Sequence, residues 1–214
     1  MSTSPPLLIW GAGGHGKVVL DVAREMGYDD ILFLDDRATS GGSLQSCEVL
    51  SPGNTRVLNR DASFVIAMGS NVERARCFGV AQERGWRPAT LIHPSAIVSR
   101  SAVIGPGTVV MPRVVVNACT VIGRNCILNT AAVVEHDCVL EDHVHIAPTA
   151  ALAGNVQLGS FAQVNLAAAV LPGVRIGSGS IVGAGAVVNR SVADHCTVVG
   201  VPAKPLQTKE MIAR

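Results

Sequence analysis

Ile97-Val98-Ser99-Arg100-Ser101-Ala102, followed by Val103-Ile104-Gly105-Pro106-Gly107-Thr108, opens a run of sixteen hexads that ends at Val192. Each hexad carries Val, Ile or Leu at its second position. The first eight are Val98, Ile104, Val110, Val116, Ile122, Leu128, Val134 and Leu140. The rest are Ile146, Leu152, Leu158, Val164, Val170, Ile176, Val182 and Val188, with no slip or insertion. An α-helix repeats at about 3.6 residues and a strand at about two, so neither explains a period of six. The period predicts a coiled solenoid in which each hexad forms one short flat face and one corner. The aliphatic residue points inward and stacks on its equivalent in the next coil. Gly, Ala, Ser, Asn and Pro fill positions where the chain must bend.

The composition agrees. The 214 residues are 48% hydrophobic yet only 3% aromatic, with 22 glycines, which suits stacked Val, Ile, Leu and Ala better than a sandwich core. A net charge of +1 argues against nucleic acid or an anionic membrane as partner, because so neutral a surface gains little from counterion release. No apolar run approaches the roughly 20 residues of a membrane span. The start, MSTSPPLLIWGAGG, lacks the basic region and long apolar stretch of a secretory leader. Six cysteines show no C-x-x-C pair and no framework spacing. Reduced thiols in a cytoplasmic protein are the expectation.

Before residue 93 the pattern is different. Leu7–Trp10 is a short apolar run ending in Gly11-Ala12-Gly13-Gly14-His15-Gly16. A helix is predicted next, with Val18, Val19, Val22, Ala23 and Met26 on one face and a stop near Gly27. Residues 31–34 and 64–68 read as further strands, 37–60 as loops with one short strand, and 72–84 as a second helix. This is a small α/β domain with a parallel sheet, a Rossmann-like half. The expected division is 1–92 for this domain, 93–199 for the solenoid and 200–214 for a closing segment with a charged, helical tail.

Gly11, Gly13 and Gly16 match G-x-G-x-x-G between a strand and a helix, with Asp35 and Asp36 about 20 residues on. Taken alone this suggests a dinucleotide site. A domain of about 90 residues is only one mononucleotide half, however, and His15 and Lys17 suit a sugar-nucleotide phosphate better than a hydride carrier. Asp35 and Asp36 offer acceptors to a base or ribose. A tight turn that merely packs strand against helix is the alternative.

The hexad Val133-Val134-Glu135-His136-Asp137-Cys138 sets an imidazole between carboxylates on a surface of small residues. His136 is fourth in its hexad, near a corner and facing out. An imidazole backed by a carboxylate is a good general base, and an amine attacking a thioester must lose a proton. A solvated charge cluster at a coil corner is the plainer reading. His143 and His145 form H-x-H, but the nearby acids face different corners, so no metal is expected.

The layout of GAGGHGK, EHD, a following histidine and glycine, and GVPAK resembles the hexapeptide-repeat sugar acetyltransferases. These modify nucleotide-linked 4-amino sugars, of the bacillosamine and perosamine type, or sialic acid. The resemblance covers essentially the whole chain. It implies a left-handed parallel β-helix, although parallel crossovers are ordinarily right-handed. It implies acetyl-CoA as cosubstrate, no metal, and a homotrimer with active sites between adjacent prisms. It makes His136 the base and Asp137 its orienting acid, places His145 near the acetyl thioester, and has Gly154 offer its N–H to the oxyanion. Gly183, Ala184 and the GVPAK segment with Lys204 then line the coenzyme A groove. Gly11, Gly13, His15, Asp35 and Asp36 take the nucleotide sugar. The expected activity is N-acetylation of a UDP- or GDP-linked 4-amino-4,6-dideoxy sugar. O-acetylation of a sugar such as sialic acid, and a non-catalytic trimeric nucleotide-sugar-binding scaffold, are the alternatives. The chain lacks a loop between coils, where related enzymes often carry the histidine, so the N-terminal domain must position the sugar.

Overall fold

The computed structural model describes residues 5–38, 42–54, 56 and 61–206. Its first part is a sheet formed by β1 (Leu7–Trp10), β2 (Ile31–Leu34), β3 (Gly42–Leu44), β4 (Cys47–Leu50), β5 (Ser63–Ile66) and β6 (Arg87–Pro88), in the order β3-β4-β2-β1-β5-β6. Central β1 is buried along its whole length, as a continuous apolar run in a parallel sheet should be. Leu7 pairs with Ile31 on one side and Ser63 on the other, both parallel. Residues 37–60, expected to hold one short strand, contain the hairpin β3–β4. Gln45 and Ser46 turn it at positive φ, the geometry that a two-residue hairpin requires.

Helix α1 (Gly14–Glu25) buries Gly16, Val19, Leu20, Val22 and Ala23. Val18 and Met26 are 39% and 37% exposed, so the apolar face is rotated toward Leu20 from the expected one. Helix α2 (Asn71–Glu83) starts at Ser70, whose hydroxyl accepts the Glu73 N–H at 3.4 Å. That bond satisfies one of the donors that a helix start leaves unpaired.

The second part is a left-handed parallel β-helix with three faces. The first rung is Leu91–Ile92, paired with Val109–Val110. These two residues, which the sequence reading assigned to the first domain, already carry the hexad phase, because Ile92 lies six before Val98. The first face continues through Ile127–Leu128, His145–Ile146, Gln163–Val164 and Ile181–Val182. The second face includes Val115–Val116, Val133–Val134 and Ala151–Leu152, and the third Val103–Ile104, Val121–Ile122 and Val139–Leu140. Partners are 18 residues apart, which is three hexads per coil. The inward residues stack into one core with almost no aromatic content.

Every corner from Gly107 to Gly185 holds its fifth hexad residue at positive φ, including Arg113, Cys119, Ala131, Thr149 and Phe161. Non-glycine residues tolerate this poorly. A hydrogen bond compensates: from Asn125 to Gly185 the N–H of each such residue donates to a carbonyl one coil back, and those of Arg113 and Cys119 donate to the hydroxyls of Ser95 and Ser101. Examples are Asp137 to Ala118 (2.9 Å), Thr149 to Thr130 (3.0 Å) and Asn155 to His136 (2.9 Å). The period breaks at the end. Val198 pairs with Val182, 16 residues apart, and Lys204–Pro205 closes the sheet antiparallel to Val198–Val199. The predicted helical tail lies outside the described residues. Among those residues, no helix is long and apolar enough to cross a membrane.

The two parts are packed together along the corner between the third and first faces. Phe78 of α2 comes so close to Gly107 that a Cβ there would lie 2.5 Å from the ring. Gly185, also at positive φ (+66°), has open space where its Cβ would be. We expect Gly185→Ala to cost about 1 kcal/mol for backbone strain alone. Gly107→Ala should cost about 2–4 kcal/mol, because Phe78 must also move. Denaturant unfolding of the two variants checks this difference.

Candidate functional site

His136 stands on the corner between the second and third faces, its side chain 60% exposed. Its Nδ1 lies 2.8 Å from Asp137 Oδ2. The carboxylate therefore holds the Nδ1–H tautomer, leaving Nε2 with its lone pair. Asp137 reaches back to the ring because it occupies the left-handed corner position, at φ 59°. One coil later the same column holds Gly154. A Cβ on Gly154 would lie 2.6 Å from both Cε1 and Nε2 of His136. Glycine is required here so that the ring can lie against the backbone of the next coil. The adjacent Glu135 is anchored by Asn117, which donates to its Oε2 at 2.8 Å.

At fourth hexad positions several backbone N–H groups are removed or capped, whereas those of Ala118, His136, Asp142, Leu166 and Ala184 meet no acceptor among the described residues. Pro106, Pro112, Pro148 and Pro172 have none. Arg124 donates to Asp142 (3.0 Å), Ser160 to Glu141 (2.9 Å) and Ser178 to Asp194 (2.9 Å). Among the described residues no acceptor meets the N–H of Gly154. A lone pair and a free N–H thus lie side by side at this corner.

A cleft of about 690 Å³ opens over the carboxyl ends of β1 and β5, where ligands of open α/β sheets bind. Gly11, Gly13, His15 and Asp35 line it, as do Arg37 and Ser70. A Cβ on Gly13 would meet nothing within 4 Å, so this edge of the loop is open to a ligand. Asp35 braces the loop: its Oδ2 accepts Ala12 N–H and its Oδ1 accepts Arg37 N–H, both at 2.9 Å. Asp36 is outside the lining and faces Arg76 at 3.9 Å.

His145 is placed on the first face, beneath this cleft, and away from the corner of His136 in the same chain. Its Nε2 lies 3.3 Å from Asn129 Nδ2, and its buried Nδ1 has no hydrogen-bond partner. His15 likewise has a buried, unpartnered Nε2. Burial, and then the charge of Arg74, push both imidazoles down to about 4, and His15 adds to the effect on His145. A mostly apolar groove of about 480 Å³ continues from Ser70 past Phe161, Gln163 and Ile181 on the same side. Further along, Gly183 packs on Val199, where a Cβ would come within 2.7 Å, and Val199 pairs with Lys204. Ala184 and Lys204 are exposed beside them.

The structure therefore collects the predicted residues into three groups. His136, Asp137 and Gly154 share one corner. Gly11, Gly13, His15 and Asp35 form the cleft, with His145 below, and Gly183, Ala184 and Lys204 are near the last coil. Sequence reading missed Asn117, Asn129 and Arg74. Adding 18 to Asn117 gives Glu135, so coil arithmetic could have found that pair. Nothing comparable points to Arg74, whose contacts cross from one part of the chain to the other. Among the described residues, no three His, Cys, Asp or Glu side chains converge as a metal site would need.

Residues 6–80 match the family description "PglD N-terminal domain". Over 97% of its length the chain superposes on 99% of a histidine mutant of perosamine N-acetyltransferase from Caulobacter crescentus, solved with CoA and GDP-perosamine. The TM-score is 0.90 and the identity 36%. The acetyltransferase domain of PglB from Neisseria gonorrhoeae, solved with acetyl coenzyme A, is 42% identical, with 95% of this chain covering all of that one at a TM-score of 0.89. UDP-N-acetylbacillosamine N-acetyltransferase of Bacillus subtilis is 41% identical over 104 residues. The match spans 45% of this chain and about half (47%) of that curated relative.

The two depressed histidines set a sign for stability against pH. Their folded pKa of about 4 lies below the 6.5 of an ordinary histidine, so the unfolded chain binds more protons between these limits. Stability should be full above pH 6.5 and fall as the pH drops toward 4, by up to about 1.4 kcal/mol per pH unit for each histidine. Thermal melts from pH 4 to 7.5 test this, and His145→Gln should flatten the acid limb.

Proposed function

The chain belongs to the hexapeptide-repeat sugar acetyltransferases with a PglD-type N-terminal domain, and from this we propose that it transfers the acetyl group of acetyl-CoA to the 4-amino group of a nucleotide-linked 4-amino-4,6-dideoxy sugar. The observation that carries this reading is the His136 ring, oriented by Asp137, lying against the backbone of Gly154, whose N–H meets no acceptor among the described residues. The neutral amine attacks the thioester carbonyl, forming the C–N bond. His136 Nε2 takes the proton that the nitrogen sheds, and Asp137 stabilises the resulting imidazolium. The Gly154 N–H meets the developing oxyanion. As the C–S bond breaks, His136 returns the proton to the departing thiolate. An amine acceptor is favoured over a hydroxyl because the related proteins with named acceptors are perosamine and N-acetylbacillosamine N-acetyltransferases.

The cleft is the site for the nucleotide. Its glycine loop leads into the start of α1, where no side chain caps the helix and no acidic residue occupies the first turn, which suits phosphate. The groove from Ser70 past Gln163 and Ile181 toward Gly183, Ala184 and Lys204 suits a pantetheine arm, being mostly apolar. His145 sits where the two ligands approach each other. The six free thiols fit the reducing cytoplasm.

Chemistry and binding occupy different corners of one prism, so a second copy has to bring its His136 to the cleft. Val103, Val121 and Val139, in register on the third face, are 57%, 45% and 44% exposed and give such copies an apolar surface to bury. A homotrimer with three intersubunit sites satisfies both facts.

Two measurements test the proposal. His136→Ala should lower turnover by roughly 10²–10⁴, the usual worth of a positioned base, while coenzyme A still binds. Turnover close to wild type would mean that solvent or substrate accepts the proton instead. Sedimentation should give a mass near three chains, and a stable, active monomer would rule out the intersubunit site.

A further inference from the structure

Arg74 is the largest fully buried side chain among the described residues, with none of its surface exposed. Five carbonyl oxygens surround its guanidinium. Nε donates to Asn125 at 2.9 Å and Nη2 to His143 at 2.7 Å and Val144 at 3.4 Å, all on the β-helix. Nη1 donates to Met68 at 3.1 Å and Gly69 at 3.4 Å, in the loop that walls the glycine cleft. No carboxylate forms an ion pair with it among the described residues. Carbonyl dipoles satisfy its hydrogen bonds, but they do not cancel its charge. Burying an uncompensated cation costs several kcal/mol, which a purely mechanical tie between two domains does not need.

We propose that Arg74 is a positioning residue whose buried charge serves the anionic part of the ligand in the glycine cleft, the diphosphate of a nucleotide sugar. This rests on the function proposed above. The loop it grips contributes Met68, Gly69 and Ser70 to the cleft wall, so the guanidinium lies directly behind that wall. Its field reaches the cleft: Arg74 is among the causes that hold both His15 and His145 neutral. Two neutral imidazoles and one unpaired cation behind the wall form a site that attracts an anion without presenting an exposed ammonium to it. Arg37 is the one Lys or Arg side chain among the described residues of the lining itself.

Calorimetry with GDP, UDP and the matching nucleosides separates this from a structural role. The wild-type protein should bind at least one diphosphate more tightly than its nucleoside. Arg74→Met, which keeps the length and removes the charge, should weaken the diphosphate by about ten-fold or more and leave the nucleoside within about two-fold. Arg74→Lys should keep most of the preference. An unchanged ratio of diphosphate to nucleoside affinity in Arg74→Met overturns the proposal and leaves the function intact. If the wild type shows no preference for either diphosphate, the reading of the cleft fails and the proposal with it. Should the methionine variant not fold, the exchange-protected Arg74 Nε–H signal in ¹⁵N-labelled wild type decides. It should shift on adding the diphosphate and not the nucleoside, and a signal that stays in place overturns the proposal.

Discussion

The rest of the structure depends on one hydrogen bond, repeated at the corners of the prism from Asn125 to Gly185. The residue in the fifth hexad position adopts a left-handed conformation and donates its N–H to the carbonyl 19 residues back, while Arg113 and Cys119 use serine hydroxyls of the preceding coil instead. Left-handed backbone costs a non-glycine residue about 1 kcal/mol or more, and most of these corners are not glycine. The bond across coils repays that cost and also forbids a coil from gaining or losing a residue. An insertion would move the next N–H off its carbonyl and turn every inward aliphatic residue off the core. The unbroken period from Val98 to Val188 is therefore a mechanical requirement of the corners.

That requirement also builds the site. Because coils repeat at 18 residues, side chains fall into straight columns, and a chemical group can be made from residues far apart in sequence. His136 over Gly154 is one such column, and Asn117 holding Glu135 is another. The fourth position is the useful one, because its N–H points outward. Proline removes that donor at some corners and a carboxylate from the neighbouring coil takes it at Arg124, Ser160 and Ser178, while at Gly154 it is free beside the His136 ring. The catalytic reading of Gly154 rests on its place against the His136 ring, where a Cβ would come within 2.6 Å of Nε2, and its φ is not in the left-handed region.

How much was legible follows from the same geometry. The hexads were readable because each inward residue meets its own equivalent, so the core is written in the sequence as a period. Asp137 beside His136 was readable because one corner brings the two neighbours together. Handedness was not, since a period carries no chirality, and it had to come from a family resemblance. Asp35 matched a motif position, yet its carboxylate is taken up by Ala12 and Arg37 N–H groups, which no spacing could reveal. The face of α1 was misjudged at Val18 because periodicity cannot distinguish a residue that packs on the sheet from one at the edge of the packing. The first rung at Leu91 was missed for a related reason. A single hexad before the run looks like the end of the preceding domain.

The contact between the two parts was the least legible feature, and the prism's backbone accounts for its unusual chemistry. At each corner the fifth-position carbonyl has no backbone donor. An apolar helix packed against such a column would strand those carbonyls in the interior, at a cost of roughly 1–3 kcal/mol each. A helix that docks there must bring donors. Helix α2 brings Asn71 to the Phe161 carbonyl at 2.8 Å and Arg74 to those of Asn125 and His143. Asn125 donates in return to the Arg74 carbonyl at 3.2 Å. Phe78 then fits only where the column offers Gly107. The domain interface is thus polar at its centre because a β-helix corner is polar, and a guanidinium is the side chain with enough donors in a fixed fork to serve several carbonyls at once. Its donors meet the needs of the corner, and its charge, which the tie alone does not require, stands behind the cleft where an anionic ligand can use it.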